Sequence, residues 1–120
     1  MARLQEQLLE RVESFCDRVL HVAEALDEER VSRRVVDRVI GSGTSVGANV
    51  FEADEAMSRA DFVKCMAIAS KELNETRFWL RLISRHQWVS ASRLGDLMDE
   101  VDELKRVFGS IIARSKKRST

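Results

Sequence analysis

The segment RLQEQLLERVESFCDRVLHVAEAL, residues 3–26, shows the pattern that decides the fold. Its apolar side chains recur every three or four residues, at Leu4, Leu8, Val12, Phe15, Val19, Val22 and Leu26. This spacing places them on one stripe of an amphipathic α-helix, with charged residues on the other side. The segment therefore predicts a helix with one buried face.

The same spacing recurs in three later segments, at about 31–57, 59–85 and 94–112. Ser58, with Asp61 three residues on, has the spacing of an N-terminal helix cap before the third segment. The chain contains no proline, which favours long uninterrupted helices. We therefore predict an all-α, antiparallel up-down four-helix bundle over residues 1–113, followed by a basic, flexible tail at 114–120.

The glycine-rich stretch 41–47 has a local composition typical of a loop. Gly43, Val46 and Gly47 nevertheless continue the apolar stripe of the second segment, so we predict helix there. The argument against a helix is that each glycine in a helix interior lowers stability by about 1 kcal/mol. The stretch also lacks the spacing of a phosphate-binding loop. The small residues Gly43, Gly47 and Ala48 are instead predicted to allow close packing between helices.

Composition excludes several classes of protein. The 120 residues carry 20 basic and 20 acidic side chains, so a globally basic nucleic-acid-binding protein is excluded, although a local basic patch is not. The two cysteines do not form a disulfide framework. The charged N-terminus cannot be a signal peptide, and no apolar run is long enough for a membrane span. We expect a cytoplasmic protein with free thiols and no membrane contact.

No catalytic or metal-binding set of residues emerges. A di-iron bundle needs Glu-x-x-His motifs, but Arg18 and Ile83 stand three residues before His21 and His86. Zinc-ligand spacing and a Ser-His-acid triad are also missing. We therefore predict a protein that is not an enzyme, with no catalytic residues, metal, cofactor or small-molecule substrate.

Arginine is the informative residue type, since it supplies 15 of the 20 basic side chains. One stripe at i, i+4 and i+8 comprises Arg77, Arg81 and Arg85, and a second comprises Arg30, Arg34 and Arg38. Like charges at this spacing repel, so each stripe needs anionic partners. For the first stripe we expect carboxylates, at the start of helix four or in a neighbouring subunit, with RNA phosphates as the alternative.

The second stripe has fewer acids nearby in sequence and is the better candidate for an external anion such as RNA. The C-terminal segment is expected to be the most exposed basic group, and its cationic residues are Arg114, Lys116, Lys117 and Arg118. We take the arginines of the second stripe and the cationic residues of the C-terminal segment as candidate nucleic-acid-binding residues.

The third helix carries apolar bulk on more than one side. Phe78 and Trp79 both lie off its inner stripe, so this helix has more apolar surface than a bundle core requires. We expect these residues to form a subunit interface. The alternative is that Trp79 covers the seam between helices three and four.

Three blocks carry a family resemblance: SGTSVGANVFEA (42–53), SRADF (58–62) and KELNETRFWLRLI (71–83). In this order they resemble the four-helix-bundle proteins encoded in 23S ribosomal-RNA intervening sequences of bacteria. The ending VFGSIIARSKKR (107–118) and the block RFWLRLI are also similar to accessory variability proteins of diversity-generating retroelements. At Cys65, Ser70 and Asn74 this chain departs from its relatives, which tend to have basic or bulkier residues there. The departure removes two positive charges from helix three, which weakens the expectation of a nucleic-acid role.

The resemblance implies an up-down bundle that assembles into a homopentameric ring without catalytic activity. It further implies RNA or a reverse transcriptase as a possible partner, because the retroelement relatives bind a reverse transcriptase and nucleic acid through basic surfaces. Two hypotheses follow. The chain is a non-catalytic oligomeric adaptor that engages RNA, or an RNA-handling protein, through arginines. Alternatively it is a purely structural, protein-binding homo-oligomer whose arginines are paired internally.

Overall fold

The computed structural model describes residues 3–117, which contain four α-helices and no β-strand. The helices are α1 (Glu6–Glu28), α2 (Arg33–Asp54), α3 (Arg59–Arg85) and α4 (Ala91–Lys117). The described chain measures 49 × 21 × 21 Å, as expected for helices of about 40 Å packed side by side. The all-α class and the four helices predicted from periodicity are confirmed.

The predicted apolar stripes form the core. In α3 every predicted inner residue is buried, from Phe62 through Leu73 to Ile83. In α1 the stripe is buried from Val12 to Leu26. Ser58 caps α3 as predicted, since its side chain accepts a hydrogen bond of 3.1 Å from the Asp61 backbone N–H. Three- and four-residue spacing therefore located the buried face of each helix correctly.

Helices α1 and α2 approach each other closely at two glycines. A Cβ atom added at Gly43 would overlap the side chain of Val19, and one added at Gly47 would lie 2.7 Å from Cys16 Sγ. Gly43 lies against Val19, whereas Gly47, further along α2, lies against Cys16, which comes earlier in α1. The two helices are therefore antiparallel. Ala48 is exposed and takes no part in this contact, because its position on α2 points away from α1.

The turns that end α1 and α3 share one geometry. Arg30 and Gln87 both have left-handed backbones, with φ of 58° and 57°. After α1, the Arg30 N–H donates to the Asp27 carbonyl and the Val31 N–H to the Leu26 carbonyl, at 3.0 and 3.1 Å. This pattern is a Schellman motif with Arg30 at the left-handed position after the helix. Arg30 is therefore part of a turn, which corrects its placement on a helical stripe.

Helix α4 continues through Lys117, four residues beyond the boundary at 113 drawn from the sequence. Ile111 and Ile112 still pack against the core, and Ser115 Oγ donates to the Ile111 carbonyl at 2.9 Å. Basic side chains also interact favourably with the carbonyl end of a helix. The segment 114–117 is thus the last turn of α4, while Arg118 lies outside the described residues.

The N-terminal segment is attached to the α2–α3 turn by a buried carboxylate. Asp54 Oδ1 accepts hydrogen bonds from the backbone N–H groups of Arg3 and Leu4, at 2.8 and 2.7 Å. Arg3 Nε also donates to the Ala56 carbonyl at 2.8 Å. Asp54 is only 7% exposed, so these bonds form away from bulk water. They fix the chain before α1 begins.

We expect Asp54→Asn to lower the free energy of unfolding by about 1 kcal/mol, because a neutral amide oxygen accepts more weakly than a carboxylate. Urea unfolding followed by helical circular dichroism measures the change. Asp17→Asn is the matched control, since Asp17 is exposed in the middle of α1 and should change stability little. Equal effects of the two substitutions would contradict this role of Asp54.

Candidate nucleic-acid interface

A groove between α3 and α4 contains all three residues of the first arginine stripe. It has a volume of about 440 Å³ and is lined by Asn74, Arg77, Phe78, Arg81, Leu82, Arg85 and Lys105. Four of these seven side chains are cationic, and none is a carboxylate. Three of the cations recur on successive turns of α3, about 6 Å apart along the helix axis. The groove therefore presents a line of positive charge.

Arg77, at one end of this line, is paired within the chain. Its Nε donates to Asp102 Oδ1 of α4 at 2.8 Å, as the carboxylate hypothesis expected. The hydrogen bond from Arg77 holds the pKa of Asp102 below its ordinary value. Because that pKa is depressed, the pair contributes stability at neutral pH and loses it as the pH falls through the acid range.

Arg81 and Arg85 differ from Arg77. Both are exposed, and among residues 3–117 neither has a carboxylate oxygen within 4.0 Å. The expectation of partners at the start of α4 is therefore wrong for these two residues within the described chain. Partners in a neighbouring subunit or on an external polyanion remain the open alternatives. Two cations in the groove are free to bind an anion.

Two of the α4 acids, Glu100 and Glu103, are instead bound by an arginine that belongs to neither arginine stripe. Arg11 of α1 makes a two-pronged contact with Glu100, with Nε–Oε2 and Nη2–Oε1 distances of 2.8 and 2.6 Å. The same Nη2 lies 2.6 Å from Glu103 Oε2. These hydrogen bonds raise the pKa of Arg11. Arg11 is 89 residues from Glu100 in sequence, and no local pattern relates the two.

The second arginine stripe is divided by the structure. Arg30 lies in the Schellman turn, and Arg38 Nη2 lies 3.4 Å from Glu75 Oε2 of α3. Arg34 is exposed, with no carboxylate within 4.0 Å in the described chain. The neighbouring Arg33, which was not on the stripe, pairs with Asp27 and Asp37. The small number of acids near Arg38 in the sequence therefore did not predict whether it is paired, because its partner, Glu75, belongs to another helix.

The two aromatic residues of α3 occupy different environments. Trp79 is half-buried against the core, and its Nε1 donates to Glu75 Oε2 at 3.1 Å. Phe78 is 55% exposed and lies in the groove. Its ring contacts that of Trp79 nearly edge-on, with centroids 5.0 Å apart and planes at 72°. Trp79 thus lies on the α2 side of α3, near Glu75 and Arg38, and not over the seam with α4.

A second groove, of about 860 Å³, lies between α1 and α4. Its floor is apolar, and Leu4, Leu8 and Val107 contribute to it. Its arginines are largely engaged, since Arg11 binds two glutamates and Arg3 binds the Ala56 carbonyl. Arg114, in the last turn of α4, also lines this groove. Arg114 therefore lies apart from the α3–α4 groove.

Cysteine, histidine and carboxylate side chains are the residues of this chain that could form a metal site or a nucleophilic centre. Within residues 3–117, no group of three or more His, Cys, Asp or Glu side chains could hold a metal ion. Burial raises the pKa of the Cys16 thiol, which disfavours its nucleophilic thiolate form. His86 is stacked on Trp88, with ring centroids 4.8 Å apart. No helix of the described chain has the length and apolarity needed to cross a membrane.

Comparison with known proteins agrees with this four-helix architecture. Residues 5–110 match the model of the family described as 23S rRNA-intervening sequence protein. The chain therefore belongs to that family.

A solved structure from Bacteroides thetaiotaomicron VPI-5482, a protein of unknown function from the S23 ribosomal protein family, is similar to this chain. The two share 33% identity and a TM-score of 0.82, over 87% of this chain and 96% of the other. Comparison with curated proteins gave no match.

Proposed function

We propose that this protein is a non-catalytic, homo-oligomeric adaptor of the bacterial cytoplasm that binds RNA, or an RNA-handling protein, through arginine side chains. The observation that carries the proposal is the α3–α4 groove, where Arg81 and Arg85 lie exposed without a carboxylate partner among the described residues. Guanidinium groups form strong, charge-assisted hydrogen bonds with phosphates. A chain of zero net charge that keeps two adjacent arginines unpaired has a local site for a polyanion.

The charges of the surface are distributed unevenly, which supports a directed site. The outer side of α1 carries exposed acids, including Glu10, Glu13 and Asp17. The α3–α4 groove carries only cations among its charged lining residues. Phosphate would therefore be attracted to one face of the bundle and repelled from another. Membership of a family named for an rRNA intervening sequence favours RNA as that polyanion.

A second candidate function is a purely structural, protein-binding ring. It is favoured by the arginines that are paired within the chain, namely Arg11, Arg33, Arg38 and Arg77. The exposed ring of Phe78 would then be covered by a second copy, whose acidic α1 surface could pair with Arg81 and Arg85. Contact between two different faces of an up-down bundle generates a closed ring when the rotation between copies closes.

We expect light scattering to give a particle mass several times 13.7 kDa, and near fivefold if the pentamer implied by the resemblance applies. Dilution into the micromolar range tests whether the assembly persists. A monomer at that concentration would contradict the oligomeric part of the proposal, without bearing on RNA binding by a single chain.

We expect the double substitution Arg81→Gln, Arg85→Gln to weaken binding of a structured RNA and to reduce the salt dependence of binding. Each lost phosphate contact lowers the slope of log K against log salt by about 0.7–0.9, so the slope should fall by about 1.5. Gel-shift titrations at two salt concentrations measure both quantities. The matched control is Arg33→Gln, Arg38→Gln, which removes the same charge from arginines that already have carboxylate partners.

The wild-type titration decides between the two functions. If the wild type binds no RNA at low salt, the RNA-binding function is wrong and the structural ring remains. Equal losses in the groove variant and the control would show that binding depends on overall charge, which would contradict the assignment to the groove.

A further inference from the structure

We propose that the α3–α4 groove binds single-stranded RNA, with an unpaired base stacked on the Phe78 ring and the flanking phosphates on Arg81, Arg85 and Lys105. This inference rests on the proposed function and deepens it, because it names the form of RNA that the groove recognises. It is carried by the position of one exposed aromatic ring beside Arg81 and Arg85, which have no carboxylate oxygen within 4.0 Å among residues 3–117.

The Phe78 ring is displayed at a defined place on α3. More than half of its surface is exposed, although the residues on either side of it are each half-buried. Trp79 is anchored by the core and by its hydrogen bond to Glu75, and its ring contacts Phe78. Phe78 is thus braced from one side by an ordered neighbour. A base that stacks on a held ring loses less entropy than one that must first order a mobile side chain.

Four cations line the same groove as this ring. Arg81 lies one helical turn beyond Arg77, Arg85 one turn further, and Lys105 lines the groove from α4. Phe78 therefore sits beside a line of charges spaced about 6 Å apart along α3. Arg77 is hydrogen-bonded to Asp102, whereas Arg81, Arg85 and Lys105 have no carboxylate oxygen within 4.0 Å among residues 3–117, although the charge of Lys105 also acts on Asp102. A strand lying along the groove would meet positive charge before and after the position of the ring.

This combination favours a single strand over a duplex. In a duplex the faces of the bases are covered by their neighbours, so an exposed phenyl ring could contact the backbone or base edges but could not stack on a base. In a single strand the faces of the bases are free and stack on aromatic side chains. An acidic peptide would use the cations but would gain no stacking from the ring.

The test compares a fluorescein-labelled oligoadenosine with an RNA duplex of equal phosphate number, by fluorescence anisotropy at two salt concentrations. Phe78→Leu keeps apolar volume but removes the aromatic face, and Phe78→Tyr is the matched control that retains it. Stacking is worth about 1–3 kcal/mol per base, so Phe78→Leu should weaken single-strand binding about 5- to 150-fold. Phe78→Tyr should bind within about twofold of the wild type.

The salt slope separates stacking from charge. Phe78→Leu should leave the slope unchanged, because no phosphate contact is lost, whereas Arg81→Gln should lower it by about 0.7. Duplex binding should be weaker than single-strand binding in the wild type and should not respond to Phe78→Leu. Thermal unfolding by circular dichroism checks that both Phe78 variants fold, which is expected for an exposed side chain.

Four results would overturn this inference. Equal affinity of Phe78→Leu and the wild type would leave a charged RNA site without stacking, so the proposed function would survive. Absence of any RNA binding by the wild type would overturn both together. Loss of the oligomeric mass in Phe78→Leu would make this face an interface between copies. Competition by polyglutamate as effective as that by oligoadenosine would make the groove a site for acidic protein segments.

Discussion

Gly43→Ala is expected to lower the free energy of unfolding by about 1–3 kcal/mol, although alanine is the better helix former. The added Cβ would overlap the Val19 side chain, and Val19 Cβ itself lies 3.0 Å from the added atom. Val19 is fully buried, so it cannot turn out into solvent. Helices α1 and α2 would have to separate locally, which loosens the contact that the glycines create.

Gly41→Ala is the matched control and should act in the opposite direction. Gly41 lies in the same helix, is exposed, and has nothing within 4 Å of an added Cβ. Alanine there should stabilise the chain by about 0.5–1 kcal/mol through helix propensity alone. Urea titrations of both variants measure whether each substitution raises or lowers the free energy of unfolding.

The Val19→Ala background tests the cause of the Gly43 effect. With the Cγ atoms of Val19 removed, Gly43→Ala should cost less than it does in the wild type, so the two substitutions should be coupled by about 1 kcal/mol. Additive effects, or a stabilising Gly43→Ala in the wild type, would contradict the close contact between α1 and α2.

Arg11→Met is expected to lower the free energy of unfolding by about 1–3 kcal/mol. Arg11 binds Glu100 through two nitrogen atoms and joins Glu103 to the same network. The Glu100 side chain is only 15% exposed, so without Arg11 its charge would remain poorly solvated and unpaired. Methionine preserves helix propensity and most of the aliphatic volume, so the change isolates the lost guanidinium group.

Glu100→Gln should restore part of the loss in the Arg11→Met background, because a neutral amide tolerates partial burial better than a carboxylate. Arg33→Met provides the control, since Arg33 and its partners Asp27 and Asp37 are all more than half exposed. Exposed pairs contribute about 0–1 kcal/mol, so this substitution should change stability little. A loss for Arg33→Met as large as that for Arg11→Met would contradict the special position of Arg11.

The groove and the Arg11 network together explain how a chain of zero net charge can have a basic site. The acids of α4 that could have neutralised Arg81 and Arg85 are in part already bound, Glu100 and Glu103 by Arg11 and Asp102 by Arg77. Charge balance over the whole chain therefore does not imply balance on each face. The proposed RNA-binding function follows from this local imbalance.

The helices and their buried faces could be predicted from the sequence, because they depend on relationships between residues three and four apart. Such residues are neighbours on any α-helix, whatever the helix packs against. The stripe through Val12, Phe15 and Val19 and the inner face of α3 are examples. The helical state of 41–47 followed from the same reasoning, since Gly43 and Gly47 occupy stripe positions that face α1.

The partners of the charged side chains were decided only by the tertiary structure. Arg11 pairs with Glu100 across 89 residues, and Arg38 meets Glu75 of another helix, so proximity in sequence gave no guide to either. The left-handed backbone of Arg30 likewise arises where α1 ends and the chain turns toward α2. Periodicity defines which side of a helix is buried, but the rotation and register of one helix against the next decide which cations find carboxylates. For this protein, that choice leaves Arg81 and Arg85 exposed beside Phe78.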